Sequence, residues 1–133
     1  MVRSYEHNYT CIEGQPVFFE KLGGRDNKYC LSTIVINVLP MKERQPAKTL
    51  SHYGEEFIYV LEGILTTTLN DVKYDLYPGD SLHFQSSTPH SWENTTNKLV
   101  RFLSVYMDLE GLFSEGPLRG SAVYDEGKNP LYE

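Results

Sequence analysis

The 133-residue sequence has no apolar run long enough to cross a bilayer and no block of like charge. Its 12 Lys and Arg residues are outnumbered by 18 Asp and Glu residues, which gives a formal net charge of -6. Tight binding to a phosphate backbone requires clustered basic side chains. We therefore expect that this chain neither enters a membrane nor binds nucleic acid directly.

Cysteine is scarce as well, because Cys11 and Cys30 are the only two and they form no CxxC pair. A zinc site built on cysteines normally has such paired spacing, so this kind of site is not expected. The first ten residues are too polar for a signal peptide. A disulfide between the two cysteines is the open alternative, but together these features favour two reduced thiols in a cytoplasmic protein, and the length predicts one domain.

A sustained helical period is also lacking, and Gly and Pro divide the chain into short runs rich in β-branched and aromatic residues. This pattern predicts an all-β fold of many short strands in a sandwich or barrel. Asn70 and Asp71 are suitable residues for a hairpin turn. Pro78, Gly79 and Asp80 predict a second tight turn. The predicted strands cover residues 17–22, 31–39, 56–61, 64–69, 73–76, 81–84 and 99–107.

Three segments are predicted along the chain: a polar connector at residues 1–16, a barrel at residues 17–110 and an irregular C-terminal arm at residues 111–133. The best candidate for a short helix is residues 109–114. In the strand at residues 56–61, alternation puts apolar side chains on both faces. A strand of this kind is covered on both sides. One face would line the barrel, and the other would meet a second sheet or a second subunit, so we expect a homodimer.

His52 and Glu56 are four residues apart, so on an extended strand their side chains point to the same face. A neutral imidazole and an ionised carboxylate on one face form half of a site for a divalent metal. Taken alone, the pair is more often a surface histidine near an acidic run.

The sequence around this pair resembles the two signature motifs of the cupin superfamily. His52, Glu56 and Gly63 match the first motif, which reads His-x-His, three residues, Glu, six residues, Gly. The resemblance covers roughly residues 30 to 107 and implies a double-stranded β-helix, or jelly-roll, barrel. The second motif, a Pro-Gly turn followed by Pro-His and then by Asn, is matched by Pro78, Gly79, Pro89, His90 and Asn94.

The resemblance implies that His52, Glu56 and His90 hold a divalent metal inside the barrel. The first histidine of the motif is replaced by Leu50, so the chain supplies two His and one Glu where a typical metal cupin supplies three His and one Glu. The smaller set suits non-haem Fe(II), with Zn, Mn or Ni as alternatives. Because one ligand is lost, a barrel that binds no metal and serves as a pocket is the open alternative.

Other residues near the motifs are candidates for structural or pocket-lining roles. Trp92 lies at even spacing from His90 and could cover the site, although core packing is the favoured interpretation. His83 is predicted to point away from the barrel, and Glu55 would be a ligand only if the strand register shifted by one. Asn94 is expected to brace the second motif. The pocket-lining candidates are Leu50, Trp92, Phe102, Ser104 and Tyr106.

The stretches GEEFIYVLEG and YPGDSLHFQSSTPHSWEN resemble the C-terminal cupin domain of bacterial regulators that carry an N-terminal helix-turn-helix. That resemblance implies a sensor, in which a small metabolite binds in the barrel and shifts the DNA-binding geometry of a dimer. No helix-turn-helix is found in these 133 residues, so the chain is either a fragment of a longer regulator or a stand-alone relative.

Two other classes of function compete with the sensor. One is a metal-dependent enzyme, either a non-haem Fe(II) oxygenase or epoxidase, as some cupins are, or a metal-assisted isomerase. The other is a scaffold that serves only subunit assembly. The sequence identifies no catalytic base, nucleophile or substrate clamp, and for this reason the sensor ranks first.

Overall fold

The computed structural model describes residues 1–11, 14–23, 30–40 and 49–107, and within them the fold is all-β. Each of the seven predicted strands is found. A 3-10 turn at Ser4–Glu6 and the strands β1 and β8 were not predicted. The predicted short helix and the predicted arm lie outside the described residues. The strands are β1 Asn8–Cys11, β2 Val17–Lys21, β3 Leu31–Val38, β4 Glu55–Glu62, β5 Leu65–Leu69, β6 Val72–Leu76, β7 Ser81–Gln85, β8 His90–Glu93 and β9 Val100–Met107.

The strands form two antiparallel sheets, as a jelly-roll barrel requires. Sheet A has the order β1-β2-β3-β9-β4-β7, and sheet B has the order β6-β5-β8. The predicted fold class is therefore confirmed. β1 pairs with β2, so part of the predicted connector at residues 1–16 belongs to sheet A. The predicted division into connector, barrel and arm stays a prediction.

The hydrophobic core lies between the two sheets. Ile58 and Val60 of β4 and Phe102 of β9 contribute to it from sheet A, and Leu65 contributes from sheet B. Val60, Phe102 and Leu65 are fully buried, and each such side chain adds roughly 1.5–3 kcal/mol of burial free energy. Because side chains alternate along a strand, the face of β4 that carries Glu56 also faces the barrel interior.

The opposite face of β4 carries Phe57, Tyr59 and Leu61. Tyr59 is 38% exposed and Leu61 is 42% exposed. Of the two covers expected for this face, a second sheet is not found in the described part of the chain. The other cover, a second subunit, stays a prediction.

Both predicted turns are confirmed. Asn70 and Asp71 join β5 to β6 with φ angles of 47° and 67°, the left-handed pair that a tight hairpin turn uses. Before β7, the amide of Asp80 donates to the carbonyl oxygen of Tyr77 at 2.8 Å. The amide of Tyr77 in turn donates to the Asp80 carboxylate at 2.8 Å. The two bonds between Tyr77 and Asp80 fix the turn that leads into β7, the strand that pairs with β4.

Two further expectations concern cysteine and membrane helices. Cys11 is exposed, Cys30 is half-buried, and no disulfide joins them in the structure; the reduced state of both thiols stays a prediction. No helix among the described residues combines the length and apolar composition needed to cross a bilayer.

Asn94 braces the end of β8, as predicted, through its side-chain amide. The amide nitrogen Nδ2 donates to the carbonyl oxygens of Val38 at 3.0 Å and Lys98 at 2.7 Å. The oxygen Oδ1 accepts from the backbone amide of Thr96 at 2.9 Å and from its hydroxyl at 2.6 Å. One side chain therefore ties the end of β8 to β3 and to the start of β9.

Replacing Asn94 by Ala should destabilise the protein by about 2 kcal/mol, because the carbonyl oxygen of Val38 is left without this donor in a buried site. The matched control is Asn97→Ala, since Asn97 is exposed, and its effect should stay within about 0.5 kcal/mol. Urea denaturation of both variants measures the difference. Equal losses for the two asparagines would contradict the bracing role.

Candidate metal centre

Three side chains from both sheets converge inside the barrel. Glu56 lies on β4 of sheet A, His90 is the first residue of β8 in sheet B, and His52 lies in the segment before β4. Their exposed fractions are 3%, 2% and 8%. One ligand atom from each lies within 4.8 Å of the other two. The structure thus brings together the three residues that the sequence singled out.

Backbone hydrogen bonds hold the segment that carries His52 against both sheets. Leu50 and His90 exchange two bonds, of 2.7 and 2.9 Å, which attach the segment to β8. The amide of His52 donates to the carbonyl oxygen of Ser86, and the amide of Ser86 donates to that of Gly54, each at 2.9 Å. Gly54 has a φ of 112°, which favours glycine. The bend directs His52 towards Glu56.

One carboxylate oxygen lies between the two imidazoles. Oε1 of Glu56 is 2.6 Å from Nε2 of His52 and 3.3 Å from Nε2 of His90. The two imidazole rings meet edge to face, with centroids 5.2 Å apart. Two atoms that ligate one ion at about 2.0–2.2 Å lie roughly 3–4 Å apart. The 3.3 Å contact lies in this range, whereas the 2.6 Å contact would have to lengthen by roughly 0.5 Å for both atoms to ligate one ion.

The far nitrogen of each imidazole faces a backbone carbonyl. Nδ1 of His90 lies 2.7 Å from the carbonyl oxygen of Thr88, and Nδ1 of His52 lies 3.3 Å from that of Tyr53. A carbonyl oxygen only accepts, so this contact assigns the ring proton to Nδ1. In the neutral ring, Nε2 then presents its lone pair to Glu56. Backbone carbonyls commonly orient metal-ligating histidines in this way.

The arrangement fits a bound cation. In the neutral state of His90, its Nε2 and Oε1 of Glu56 are two acceptors that face each other. Both atoms are buried, and neither has a hydrogen bond among the described residues. Each unsatisfied acceptor costs about 1–3 kcal/mol, and a divalent ion between them would remove that cost. Two imidazole nitrogens and one carboxylate oxygen are a donor set suited to Fe(II) and also to Zn, Mn or Ni.

The carboxyl group of Glu56 is held in its ionised form. Burial by itself would raise the pKa of Glu56, but the contacts of its carboxylate with Nε2 of His52 and His90, and the positive charge of these rings when they are protonated, lower it. Their combined effect is larger, and the pKa of Glu56 falls from 4.5 to about 2. A metal ligand must be deprotonated, and this environment favours the form of Glu56 that could bind a metal.

In the metal-free protein, the lowered pKa of Glu56 stabilises the fold above the unfolded value of 4.5, and this contribution is lost as the pH falls towards 2. The difference in unfolding free energy between wild type and Glu56→Gln should therefore shrink between pH 5 and pH 2. Urea denaturation in the presence of a chelator measures it. Glu55→Gln is the control, because Glu55 is exposed. A difference for Glu56 that stays constant with pH would contradict the assignment.

The pocket-lining candidates all lie on or near the interior. Phe102, Ser104 and Tyr106 share the interior face of β9 and are 0%, 2% and 3% exposed. Tyr106 pairs directly with Glu56 across the sheet. Leu50 and Trp92 pack against the core, and the Trp92 ring lies 5.4 Å from that of Phe102. Core packing by Trp92 was the favoured interpretation, whereas pocket lining stays a prediction for all five residues.

Glu55 and His83 lie away from the centre. Their side chains are 55% and 61% exposed, and Oε1 of Glu55 is 3.7 Å from Nε2 of His83. The strand register is therefore the one in which Glu56, and not Glu55, faces the interior.

Two buried polar residues of the interior, Thr67 and Ser86, were not predicted. Thr67 and Ser86 are 1% and 0% exposed, and their hydroxyl groups have no hydrogen bond among the described residues. For Thr67 the sequence contains a signal of interior position, since Thr67 is at even spacing from Leu65 and Leu69 and so shares their strand face. Ser86 follows the end of β7, where no alternation marks it.

Comparisons with known proteins show the family to which the chain belongs. Residues 38–106, just over half of the chain, match the family model described as the cupin domain. The HTH-type transcriptional regulator PuuR of Escherichia coli (strain K12) is 36% identical over 66 residues. These cover 47% of this chain and 36% of PuuR, so the matched part spans about a third of that relative's length.

Solved structures show the same fold. The Cupin_2 domain of an XRE family transcriptional regulator from Enterobacter cloacae aligns with a TM-score of 0.60 and 20% identity, over 70% of this chain and 97% of that one. The structure of Fe(II) HppE aligns with a TM-score of 0.67 and 22% identity, over 80% of this chain and 60% of that one. With its two sheets, its two motifs and the matching family model, the chain belongs to the cupin family.

Proposed function

We propose that this chain is a small-molecule-binding cupin domain that serves as the ligand-sensing part of a bacterial transcriptional regulator in the cytoplasm. In this proposal His52, Glu56 and His90 hold a divalent metal. The observation that carries it is the convergence of three buried ligand atoms within 4.8 Å. The sensing role is supported by the 36% identity with the regulator PuuR.

The proposed ligand binds inside the barrel beside the three metal ligands. A divalent ion held there would act as a Lewis acid and would orient an oxygen atom of the ligand. Three protein ligands leave coordination positions for that oxygen. Trp92, Phe102 and Tyr106 would form the walls, since small-molecule sites are lined mainly by apolar and aromatic side chains. The ligand shifts the conformation of the regulator by no more than its differential affinity for the two states.

The proposed sensor is tested by a thermal-shift screen of the metal-loaded chain with amino acids, organic acids, amines and sugars. We expect at least one compound to raise Tm and to quench or enhance the fluorescence of Trp92, the single tryptophan. The effect should vanish in Glu56→Gln and persist in Glu55→Gln, and the compound should be recovered unchanged. A metal-loaded protein that responds to no compound of the panel contradicts the sensing role.

The homodimer is proposed to form through the exposed apolar face of β4. Light scattering after size exclusion should give about twice the chain mass of 15.3 kDa. Tyr59→Lys should shift the mass towards the monomer, because it places a charge in the interface. Tyr74→Lys on β6 is the control, since Tyr74 is 45% exposed on the other sheet. A wild-type monomer at micromolar concentration contradicts the dimer.

A metal-dependent enzyme is the second candidate. It is favoured by the two-His, one-Glu donor set together with the shared fold of Fe(II) HppE. Oxygen uptake by the Fe(II)-loaded protein with the same compound panel tests it. Uptake that depends on one compound and is lost in Glu56→Gln would support the enzyme. An absence of uptake for a compound that nevertheless binds would favour the sensor.

A further inference from the structure

Two hydroxyl groups inside the barrel are buried and form no hydrogen bond with any residue that the structure describes. Oγ1 of Thr67 and Oγ of Ser86 have no partner among the described residues, and the two residues are 1% and 0% exposed. An unpaired buried hydroxyl opposes folding, and most buried polar groups in proteins are paired. A group that binds in the barrel would supply the missing partners.

Thr67 and His90 lie on the paired strands β5 and β8 of sheet B. Within sheet B, Leu69 pairs with His90 and Thr67 pairs with Trp92. Thr67 and Leu69 share the strand face of Leu65, a fully buried core residue. Thr67 is therefore the diagonal neighbour of His90 on the interior face, and such neighbours are about 7–8 Å apart. A small molecule can span that distance.

Ser86 lies just after the end of β7, which pairs with the strand that carries Glu56. Glu56 pairs with Phe84, and the bonds of Ser86 to Gly54 and His52 continue the pairing past the end of β7. The same bonds hold Ser86 opposite Gly54, two residues before Glu56, and its side chain is fully buried. By backbone pairing, Thr67 is thus close to His90, and Ser86 is close to the segment that joins His52 to Glu56.

The net charge of the barrel interior limits the charge of a ligand that can bind there. A divalent ion and the Glu56 carboxylate together have a net charge of +1, which one carboxylate balances. No Lys or Arg side chain in the described ranges supplies a second positive charge to the interior. Arg101 lies on the outer face of β9 and donates to Asn37 and Glu20. The other described basic residues, all of them exposed, are Arg3, Lys21, Lys73 and Lys98.

We propose that Thr67 and Ser86 are ligand-positioning residues, and that the ligand is a small monocarboxylate that carries a hydroxyl group. Its carboxylate would face the metal centre, and its hydroxyl would exchange hydrogen bonds with Thr67, with Ser86 bonded to a second oxygen. This inference rests on the proposed function, since it needs a metal at His52, Glu56 and His90.

The first test uses the metal-free protein without any ligand. Thr67→Val replaces the unpaired hydroxyl by a methyl group, so Tm should stay the same or rise. Thr68→Val is the control, because Thr68 lies on the opposite strand face. A Tm for Thr67→Val that falls by more than about 3 °C below the control would show that the hydroxyl has a permanent partner such as a buried water. That result overturns the proposal.

The second test measures binding of three probes to the Zn-loaded protein through Trp92 fluorescence. The probes are lactate, propionate, which lacks the hydroxyl, and propane-1,2-diol, which lacks the carboxylate. Lactate should bind roughly 5- to 10-fold more tightly than propionate, the ratio expected for one additional hydrogen bond, and the diol should bind least. Thr67→Val should abolish the preference for lactate, whereas Thr67→Ser and Thr68→Val should keep it.

Ser86→Ala should weaken lactate binding by a similar factor, and Ser87→Ala, which alters an exposed side chain, should not. Equal binding of lactate and propionate to wild type, or an unchanged preference in Thr67→Val, overturns the proposal. Elemental analysis of the same samples separates the two hypotheses. If zinc is bound and the probes are not discriminated, the ligand class is wrong. If no zinc is bound, the metal centre itself is wrong.

Discussion

Glu56→Gln is expected to lower the metal content of the protein from about one ion per chain to a trace. The substitution replaces the single anionic ligand by a neutral amide of the same shape. Glu56 is 3% exposed, and its Oε1 lies within 3.3 Å of both imidazole nitrogens. Loss of a partner that only orients a metal ligand costs 10- to 100-fold in affinity, so loss of the ligand itself should cost more than about 100-fold.

The adjacent residue provides the control. Glu55→Gln removes the same charge from the same strand, but Glu55 points to the exposed face. A second pair is His90→Ala with His83→Ala, because the His83 side chain is 61% exposed. Elemental analysis after dialysis against weak chelator measures all four variants. Metal content that is equal in Glu55→Gln and Glu56→Gln would show that any bound ion sits elsewhere.

Gly63→Ala is expected to destabilise the fold by about 3–5 kcal/mol. The turn between β4 and β5 holds Gly63 at a φ of 78°, and a Cβ there would lie 2.5 Å from the carbonyl oxygen of Leu99 and 3.0 Å from Cα of Val100. Both obstacles are backbone atoms, so relief requires movement of the segment that enters β9. Left-handed strain costs of order 1–3 kcal/mol, and overpacking typically adds 1–3 kcal/mol.

The two contributions can be separated with Gly79→Ala. Gly79 has a φ of 91°, but a Cβ there would meet nothing within 4 Å. This variant has the conformational cost alone, about 1 kcal/mol. Urea denaturation of both variants, each compared with wild type, measures the difference. Losses of equal size would contradict the close packing of Gly63 against β9 and would leave only the cost of φ.

Strands could be predicted where apolar, buried side chains alternate with more exposed ones along the sequence. In β4, for example, Ile58 and Val60 alternate with less buried residues, and the prediction missed its bounds by one residue at each end. β1 could not be predicted because its four residues, Asn8–Cys11, are all exposed at a sheet edge. β8 has only four residues, with polar Ser91 between His90 and Trp92, and is too short for alternation to be read.

The candidate site was predictable for a different reason. Periodicity placed His52 and Glu56 on one face, but nothing in local sequence could bring His90 to them from another sheet. The resemblance to the two cupin motifs supplied that contact. In the structure, two hydrogen bonds between Leu50 and His90 hold the segment that carries His52 against the strand that carries His90. Thr67 and Ser86 were missed because a buried hydroxyl without a partner is a property of packing, which sequence patterns do not reveal.

Together, His52, Glu56 and His90 are proposed to bind one divalent ion inside the barrel. A crystal structure of the Zn-loaded protein, with anomalous scattering recorded on both sides of the zinc absorption edge, tests it most directly. We expect one anomalous peak about 2.0–2.2 Å from Nε2 of each histidine and from a carboxylate oxygen of Glu56. A zinc peak elsewhere, or fully loaded crystals in which His90 has turned away from the peak, would contradict the claim.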